Sequence, residues 1–297
     1  MKNLLMVLSF LLCFAVSCNK MSEKRAELAS WSDGTTKKAI IDFVTQATRE
    51  GTPPFIPVED RIAVFDNDGT LWCEQPLYAE MRFSIDVTGI NDVVKAFVVS
   101  HTAVKPEQFD KMTKAWLDTA INVQFQRRYI DLTYQPMLEL LHYLHDNQFK
   151  TFIVTGGSAM FVRNFSQHVY GVPAERVIGT MFKADYSDYN LSLEPDLWHN
   201  NDNAGKPEAI FNIIGKKPVF AFGNSDGDLE MLQWTSTHTL PNLSLILHHT
   251  DDIREVAYDS LSTIGRLKNA LIEAKAKNWI VVDMKRDFKQ VFPFENQ

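Results

Sequence analysis

Short runs of consecutive apolar residues recur along this chain and predict the strands of a buried sheet. They lie at 61–65, 150–154, 218–222 and 279–282. Elsewhere apolar residues recur at helical spacing, as in 33–47, which Gly51 ends. Continuous apolar strands that alternate with helices are typical of a parallel sheet covered on both faces. The pattern therefore predicts an α/β fold with a doubly wound, Rossmann-like parallel sheet.

Polar residues follow several of these predicted strands directly. In doubly wound sheets, ligands bind at the carboxyl ends of the strands. This rule brings Asp66, Thr155 and the segment 224–228 to one edge of the sheet, although they are distant in sequence. We therefore expect the functional site at that edge.

A helical insertion is predicted between the first two strands. Residues 77–133 combine helical spacing with recurrent aromatic residues, most of which we interpret as the insertion's own core. Apolar residues within 137–144 then predict a helix that returns to the sheet. The predicted α/β core thus comprises 32–76 and 134–297, with 77–133 as a cap that excludes water from the site.

The N-terminus carries the features of an export signal. A basic start, a short apolar stretch and small residues before Cys18 predict a signal peptide over 1–17, followed by a tether over 18–31. The residues before Cys18 resemble a bacterial lipobox, which favours a lipid-anchored protein on the periplasmic or cell-surface side. A plain signal peptide and an uncleaved anchor are the alternatives. After processing, Cys73 is the one remaining free thiol, which excludes an internal disulfide and suits a packed side chain.

Composition narrows the class of partner. Hydrophobic residues make up 45% and charged residues 23% of the chain, as in ordinary globular proteins. The formal net charge is −7 and no dense run of lysine or arginine occurs, so we expect no nucleic-acid partner. An anionic substrate would therefore need a local cation. Composition leaves the oligomeric state open.

The run Asp66-Asn67-Asp68-Gly69-Thr70 places two carboxylates one residue apart after the first strand. Successive strand residues point to opposite sides, so one carboxylate can attack while the other moves protons. Two crowded acids raise each other's pKa unless a cation lies between them, which indicates a bound divalent metal. The alternative is a simple turn, since these residue types favour turns.

Four segments resemble, in order and spacing, the motifs of the haloacid dehalogenase superfamily. They are Asp66-Asn67-Asp68-Gly69-Thr70, Val154-Thr155-Gly156-Gly157-Ser158, Gly205-Lys206-Pro207 and Gly223-Asn224-Ser225-Asp226-Gly227-Asp228-Leu229-Glu230-Met231-Leu232. The resemblance extends from about residue 36 to 290 and is closest to the phosphoserine phosphatase branch. It implies a Mg²⁺-dependent phosphomonoester hydrolase that forms an aspartyl-phosphate.

The same resemblance assigns a role to each motif residue. Asp66 takes the position of the nucleophile and Asp68 that of the general acid and base. The dehalogenases themselves lack this second aspartate, so phosphoryl transfer is favoured over carbon–halogen cleavage. Thr155 and Gly156 would hold phosphate oxygens, and Lys206 would neutralise their charge. Taken alone, Thr155 also suits a helix N-cap and Lys206 an exposed turn.

The fourth motif departs from the common pattern. Many family members have aspartate where this chain has Asn224. Mg²⁺ accepts amide oxygens, so we expect as ligands Asp66, the main-chain carbonyl of Asp68, and either Asn224 or Asp228. Asp226 is a further candidate, with loop capping as its alternative role.

The motifs indicate the substrate less directly than they indicate the type of reaction. The branch makes phosphoserine the first substrate to test, yet Gln75 stands where the branch has an acidic residue, with Glu74 just before it. Export fits the release of phosphate from external esters better than serine biosynthesis. Alternatives are a broad-specificity exported acid phosphatase, a phosphotransferase, and a lipoprotein that binds a phosphorylated ligand without turnover.

A second metal site is conceivable at His248-His249 with Asp251-Asp252. Paired histidines after an apolar strand more often end the strand, and an acidic residue after them suits a helix N-terminus. We therefore favour the structural interpretation of this segment.

Overall fold

The computed structural model describes residues 27–296, so the predicted signal peptide, Cys18 and most of the tether lie outside it. Within these residues no helix is long and apolar enough to span a membrane. The predicted tether extends too far, because Leu28, Ser30 and Trp31 are buried. The indole Nε1 of Trp31 donates to the carbonyl of Pro136 at 2.9 Å. The core therefore begins by Leu28, where burial of apolar side chains outweighs the polar composition of the segment.

Helices and strands alternate along the described chain. The helices are α1 (Thr35–Thr48), α2 (Ala79–Thr88), α3 (Val93–Thr102), α4 (Pro106–Thr119), α5 (Gln135–Asp146), α6 (Ala159–Arg163), α7 (Ser166–Tyr170), α8 (Gly205–Ile214), α9 (Leu229–Ser236), α10 (Asn269–Lys277) and α11 (Met284–Asp287). The strands are β1 (Ile62–Phe65), β2 (Ile121–Asn122), β3 (Arg127–Arg128), β4 (Lys150–Ser158), β5 (Val177–Ser187), β6 (Asn190–His199), β7 (Phe220–Gly223), β8 (Leu243–His248) and β9 (Ile280–Asp283).

Seven strands form one mostly parallel sheet in the order β6-β5-β4-β1-β7-β8-β9. Every neighbouring pair is parallel except β5 and β6, which form an antiparallel hairpin at one edge. The predicted Rossmann-like α/β fold is confirmed. β8 is not among the four apolar runs, because Ser244 interrupts it. It is the apolar strand expected before His248-His249, and it lies between β7 and β9.

The two faces of the sheet are both buried. Phe65, Phe220 and Phe222 belong to the core on one face, and Val64 and Ile246 to the core on the other. Full burial of such side chains stabilises the fold by roughly 1.5–3 kcal/mol each. All four residues of β1 are buried, so its functional groups must lie beyond its end.

Helices α2, α3 and α4 and the small β2–β3 pair occupy the segment predicted as the cap. Phe83 contacts Phe109 and Trp116 edge to face, with ring centroids 5.5 and 5.8 Å apart. Phe83 also packs against Phe161 of α6 at 5.4 Å. These aromatic residues thus form a core of their own that also contacts the sheet domain. The exact cap boundaries, 77–133, stay a prediction.

Candidate active site

Asp66 lies at the carboxyl end of the central strand. Phe65 pairs with Ile153 of β4 and Phe222 of β7. The backbone N–H of Asp66 donates to the carbonyl of Phe222 at 2.9 Å, which fixes Asp66 just beyond the sheet. Its side chain lines a cavity of about 290 Å³. Asp66 is therefore buried, yet it can contact a molecule in the cavity.

Lys206 binds two carboxylates at once. Its Nζ donates to Oδ1 of Asp66 at 2.5 Å and to Oδ1 of Asp228 at 2.6 Å. A third hydrogen bond, of 2.9 Å, goes to the carbonyl of Val154. Burial by itself lowers the pKa of Lys206, but the charges of Asp228 and Asp66 outweigh it and raise the pKa above its ordinary value. Lys206 therefore stays a cation, and the alternative of an exposed turn is wrong.

The first residue of α8 explains how Lys206 reaches this position. A side chain at Gly205 would overlap the carbonyl of Asn200, which passes directly beside it. Glycine thus lets the helix begin against the neighbouring segment, one residue before Lys206. The short Gly-Lys-Pro motif combines this close approach with the charge that the site needs.

Asp228 organises the loop after β7. Its Oδ2 accepts from the backbone N–H groups of Asn224 and Ser225 at 3.0 and 3.1 Å. Its Oδ1 accepts from Lys206. Both oxygens are therefore engaged, and Asp228 would bind a metal only by sharing or giving up one of these bonds. Its predicted role as a ligand stays a prediction.

Asp68 is oriented by Trp72. The indole Nε1 donates to Oδ1 of Asp68 at 2.9 Å, and the indole ring stacks on Phe165 with centroids 4.8 Å apart. Burial, opposed by the hydrogen bond from Trp72 and aided by the charge of Glu80, raises the pKa of Asp68 to about 6. A carboxyl group with a pKa near 6 can both donate and accept a proton close to neutral pH.

The second motif lies at the end of β4. Thr155 is fully buried, and its Oγ1 accepts from the backbone N–H of Gly157 at 3.1 Å. The N-cap of α6 is Ser158, whose hydroxyl accepts from the N–H of Phe161, so Thr155 is not the helix cap. Gly156 lines the cavity with Gly157. Phosphate binding by Thr155 and Gly156 stays a prediction.

The amide of Asn224 has two well-defined partners. Its Oδ1 accepts from the hydroxyl of Thr70 at 3.0 Å, and its Nδ2 donates to Oε1 of Glu74 at 2.8 Å. Asp226 instead accepts from the backbone N–H groups of Lys268 and Ala270, at the start of α10. Asp226 therefore has the capping role that was its alternative.

The charges in the cavity are unbalanced. Five carboxylates line it: Asp66, Asp68, Glu74, Glu80 and Asp202. Among the described lining residues, Lys206 is the one ammonium group. Burial, and then the charge of Asp228, raise the pKa of Asp66 well above its usual range. Among the described residues, Oδ2 of Asp66 and Oε2 of Glu74 accept no hydrogen bond. Such oxygen donors fit a hard divalent cation.

No three carboxylate, imidazole or thiolate side chains converge on one point between residues 27 and 296. A cation here would therefore be held by few side chains, together with main-chain carbonyls and water. This suits Mg²⁺, which usually keeps several of its waters.

Several residues of the site escaped the sequence analysis. Trp72 orients Asp68, and Glu80 of α2 accepts from the backbone N–H of Ser158 at 2.8 Å. His249 contacts the carbonyl of Gly69 at 2.7 Å through Nε2 and Glu255 at 3.1 Å through Nδ1, so it supports the first motif from behind. His249 is buried, which agrees with the structural interpretation of the histidine pair. No local pattern marks the contacts of Glu80 and His249, because Ser158 and Gly69 are distant from them in sequence. Trp72, by contrast, lies only four residues from Asp68.

The thiol of Cys73 suits a packed side chain better than a nucleophile. Cys73 is buried, and its Sγ lies 3.1 Å from Oε1 of Glu255. Burial raises the pKa of the thiol well above its usual range, and the charge of Glu255 raises it further. The thiolate needed for nucleophilic chemistry is therefore disfavoured, as the sequence predicts.

Comparison with protein families finds one matching description. The haloacid dehalogenase-like hydrolase family matches residues 63–233, which is more than half of the chain. The matched range begins within β1 and includes all four motifs. The search of curated proteins finds no match.

Solved structures with a similar fold include several of low sequence identity. A protein of unknown function from Bordetella pertussis Tohama I has 14% identity and a TM-score of 0.50, with 75% of this chain and 98% of that chain covered. A phosphoserine phosphohydrolase-like protein from Francisella tularensis subsp. tularensis SCHU S4 has 13% identity and a TM-score of 0.41, covering 73% and 98%. A substrate-bound phosphoserine phosphatase has 14% identity and a TM-score of 0.39, covering 76% and 95%. At 14% identity, the likeness to the Bordetella pertussis protein shows the fold alone.

Proposed function

The chain belongs to the haloacid dehalogenase-like hydrolase family, and we propose that it hydrolyses phosphomonoesters through a phosphorylated Asp66. One observation carries this proposal. Asp66 is held at the end of β1 by Lys206, and Asp68 lines the same cavity with a pKa of about 6. A nucleophile and a proton carrier thus share one small, acidic cavity.

In the first step, Oδ2 of Asp66 attacks phosphorus and the bond from phosphorus to the ester oxygen breaks. This oxygen of Asp66 has no protein donor among the described residues, whereas Oδ1 accepts from Lys206. The ammonium at Oδ1 favours the ionised form of Asp66 against the effect of burial, and it would lie close to the charge of the phosphoryl oxygens. Asp68, in its protonated form, transfers its proton to the departing alkoxide.

In the second step, water attacks the phosphorus of the aspartyl-phosphate. Asp68, now a carboxylate, accepts a proton from that water, and Asp66 leaves as a carboxylate with release of inorganic phosphate. The hydrogen bond from Trp72 keeps Asp68 in one orientation through both steps. The two aspartates therefore have separate tasks in one cycle.

Mg²⁺ is the proposed cofactor. Asp66, the main-chain carbonyl of Asp68, and Asn224 or Asp228 would hold it. When bound, Mg²⁺ offsets the negative charge of the carboxylates and of the phosphoryl group. The excess of carboxylates over cations in the cavity supports this part of the proposal.

The proposed substrate is a small phosphomonoester. A cavity of about 290 Å³ suits a small molecule rather than a polymer. Phosphoserine is the first candidate, because of the resemblance of the motifs to the phosphoserine phosphatase branch. We further propose export and lipid anchoring through Cys18, on the basis of residues 1–18 alone.

A screen of phosphate release tests the reaction. The purified protein is incubated with Mg²⁺ and phosphorylated amino acids, sugars, nucleotides and pyrophosphate. Asp66→Asn is expected to lower the rate at least about 10⁴-fold, as loss of a nucleophile does. Asp196→Asn, an exposed aspartate on β6, is the matched control and should keep full activity.

Three outcomes of this screen would contradict the proposal. Identical activity in Asp66→Asn and the unchanged protein would exclude Asp66 as the nucleophile. Ligand-induced thermal stabilisation without product would favour a binding protein, because a ligand stabilises by mass action even without chemistry. New phosphate esters on addition of alcohols would indicate a phosphotransferase.

A further inference from the structure

Glu74 occupies a place that the surrounding backbone leaves open for it. Its carboxylate is 2% exposed and lines the cavity beside Asp66 and Asp68. A side chain at Gly69 or at Gly265 would overlap it. Both glycines have positive φ, +73° and +65°, which other residues rarely adopt. Two turns distant in sequence therefore approach the same carboxylate.

Glu74 is hydrogen-bonded to Asn224, the residue at which the fourth motif departs from the common family pattern. Asn224 follows β7 at the same sheet edge as Asp66, and its Nδ2 donates to Oε1 of Glu74 at 2.8 Å. Because the hydroxyl of Thr70 donates to Oδ1 of Asn224, the amide presents its N–H side to Glu74. An aspartate at 224 would instead face the carboxylate of Glu74 across this distance. The amide at 224 and the carboxylate at 74 thus fit each other.

The charge of Glu74 is not compensated by the described protein. Its hydrogen-bond partners there are the amide of Asn224 and the hydroxyl of Tyr258, at 2.6 Å, and both are neutral. Lys206 is engaged by Asp66 and Asp228. Asp66 and Asp68 line the same cavity, so the three carboxylates repel one another. An added cation would relieve this repulsion.

We propose that Glu74 is a direct ligand of the divalent cation, supplying the carboxylate that position 224 lacks. The carboxylate has moved from the loop after β7 to the loop after β1, and the cation keeps the same number of negative ligands. This inference deepens the proposed function, because it names a cofactor ligand that is particular to this chain. Asp66, Glu74 and the main-chain carbonyl of Asp68 would hold the ion.

The competing role for Glu74 is to bind an ammonium group of the substrate. Such a group is several bonds away from phosphorus, and phosphorus must contact Asp66. Glu74 contacts Asn224, which follows β7, and β7 pairs with β1, the strand that ends just before Asp66. The cap side of the cavity is lined by other groups, Glu80 and Phe97 among them. The position of Glu74 therefore favours a metal ion over a substrate ammonium.

Calorimetric titration of the metal-free protein with Mg²⁺, and with Mn²⁺, tests the inference without catalysis. Loss of groups that merely support metal ligands lowers affinity 10–100-fold, so Glu74→Gln is expected to weaken binding by at least about tenfold. Asp202→Asn, which removes one negative charge from the same cavity wall, is the matched control. It should change the dissociation constant by less than about threefold, as a distant, screened charge does.

The double variant Glu74→Gln/Asn224→Asp supplies the decisive measurement. It returns the carboxylate to 224 and places an amide at 74, so binding should recover to within about threefold of the unchanged protein. Asn224→Asp alone sets two carboxylates against each other and should melt at a lower temperature in EDTA, with a larger gain on Mg²⁺ addition. Circular dichroism of each variant in EDTA confirms that it folds.

The results separate this inference from the proposed reaction. Unchanged Mg²⁺ affinity in Glu74→Gln would overturn the inference, while phosphate release that depends on Asp66 would still support the function. If Glu74→Gln also raised KM for amino-containing phosphoesters alone, Glu74 would be a substrate contact. If Asp202→Asn weakened Mg²⁺ binding as much as Glu74→Gln does, Glu74 would act only through its charge and not as a ligand, which also overturns the inference. Metal binding that requires Glu74 in a protein without phosphatase activity would contradict the reaction alone.

Discussion

Two groups of buried carboxylates in this molecule have opposite electrostatic character. In the cavity, burial raises the pKa of Asp66 and Glu74, and neighbouring carboxylates raise it further. Near the C-terminus, burial also raises the pKa of Asp287, but hydrogen bonds from Arg286, from the Asp283 N–H and from Thr36 outweigh it, so the pKa is lowered.

Hydrogen-bond partners, and not burial, distinguish a stabilising carboxylate such as Asp287 from a functional one such as Asp66. Asp287 is 7% exposed and Asp66 is 6% exposed, so burial does not distinguish them. The partners do: Asp287 accepts from an arginine, a backbone N–H and a hydroxyl, whereas Asp66 shares a single lysine with Asp228. Carboxylates that lack enough donors are costly to the fold, and they concentrate where a ligand supplies the missing charge.

Of the three substitutions, replacing Lys206 should have the largest effect on the stability of the protein. Lys206→Met leaves Asp66 and Asp228 buried without a cation, so we expect a loss of about 3–5 kcal/mol in the free energy of unfolding, together with loss of activity. Urea unfolding in EDTA measures the change. Lys216→Met is the matched control, because Lys216 pairs with Asp60 at the surface, where a salt bridge contributes about 1 kcal/mol or less. If both variants lowered the free energy of unfolding equally, leaving Asp66 and Asp228 buried without a cation would cost no more than losing a surface salt bridge.

Exchanging the proton carrier should affect chemistry without affecting the fold. Asp68→Asn keeps an oxygen that can accept from Trp72, so the unfolding free energy should change little. The rate constant kcat is expected to fall about 10²–10⁴-fold, as it does on loss of a general acid and base. Steady-state kinetics on the best substrate from the screen measure kcat and KM. A raised KM at unchanged kcat would show that Asp68 binds substrate instead of transferring protons.

The smallest expected effect is that of replacing Asp287, whose carboxylate accepts hydrogen bonds at both oxygens. Asp287→Asn weakens the bonds from Arg286 and the Asp283 N–H, and we expect a loss of about 1–3 kcal/mol at pH 7 with activity unchanged. Because the pKa of Asp287 is lowered in the fold, its contribution is present at neutral pH. It falls once the pH drops below about 4, where the unfolded chain takes up a proton, and it is lost as the pH falls through the lower pKa of the folded protein.

Unfolding measured from pH 7 to pH 3 checks this prediction. The stability difference between Asp287→Asn and the unchanged protein should shrink toward acid. A difference that grew toward acid would mean that the ionised form of Asp287 destabilises the fold, as in the cavity.

The motifs were readable in the sequence because each is local. A buried strand followed by polar residues predicts a strand end, and the parallel sheet brings such ends together, so Asp66, Thr155 and Asn224 could be placed at one edge in advance. Lys206 lies in α8, and its place in the site was implied by the family resemblance alone. The bulky cap was predicted for a similar reason, from helical spacing between two strands. The error at the predicted tether has a different cause, because the burial of Trp31 depends on α5, more than a hundred residues away.

The amino-acid sequence by itself determined which chemical groups the site contains and the order in which the strands deliver them, since hydrophobic runs and turn residues act over a few neighbours. Only the tertiary structure decided which carboxylate receives the lysine and which receives an amide. Glu74 meets Asn224 across 150 residues, and Lys206 meets Asp66 across 140. Such contacts depend on how β1, β7 and α8 pack, and this packing decides where the cavity has more negative charge than its own cations can balance.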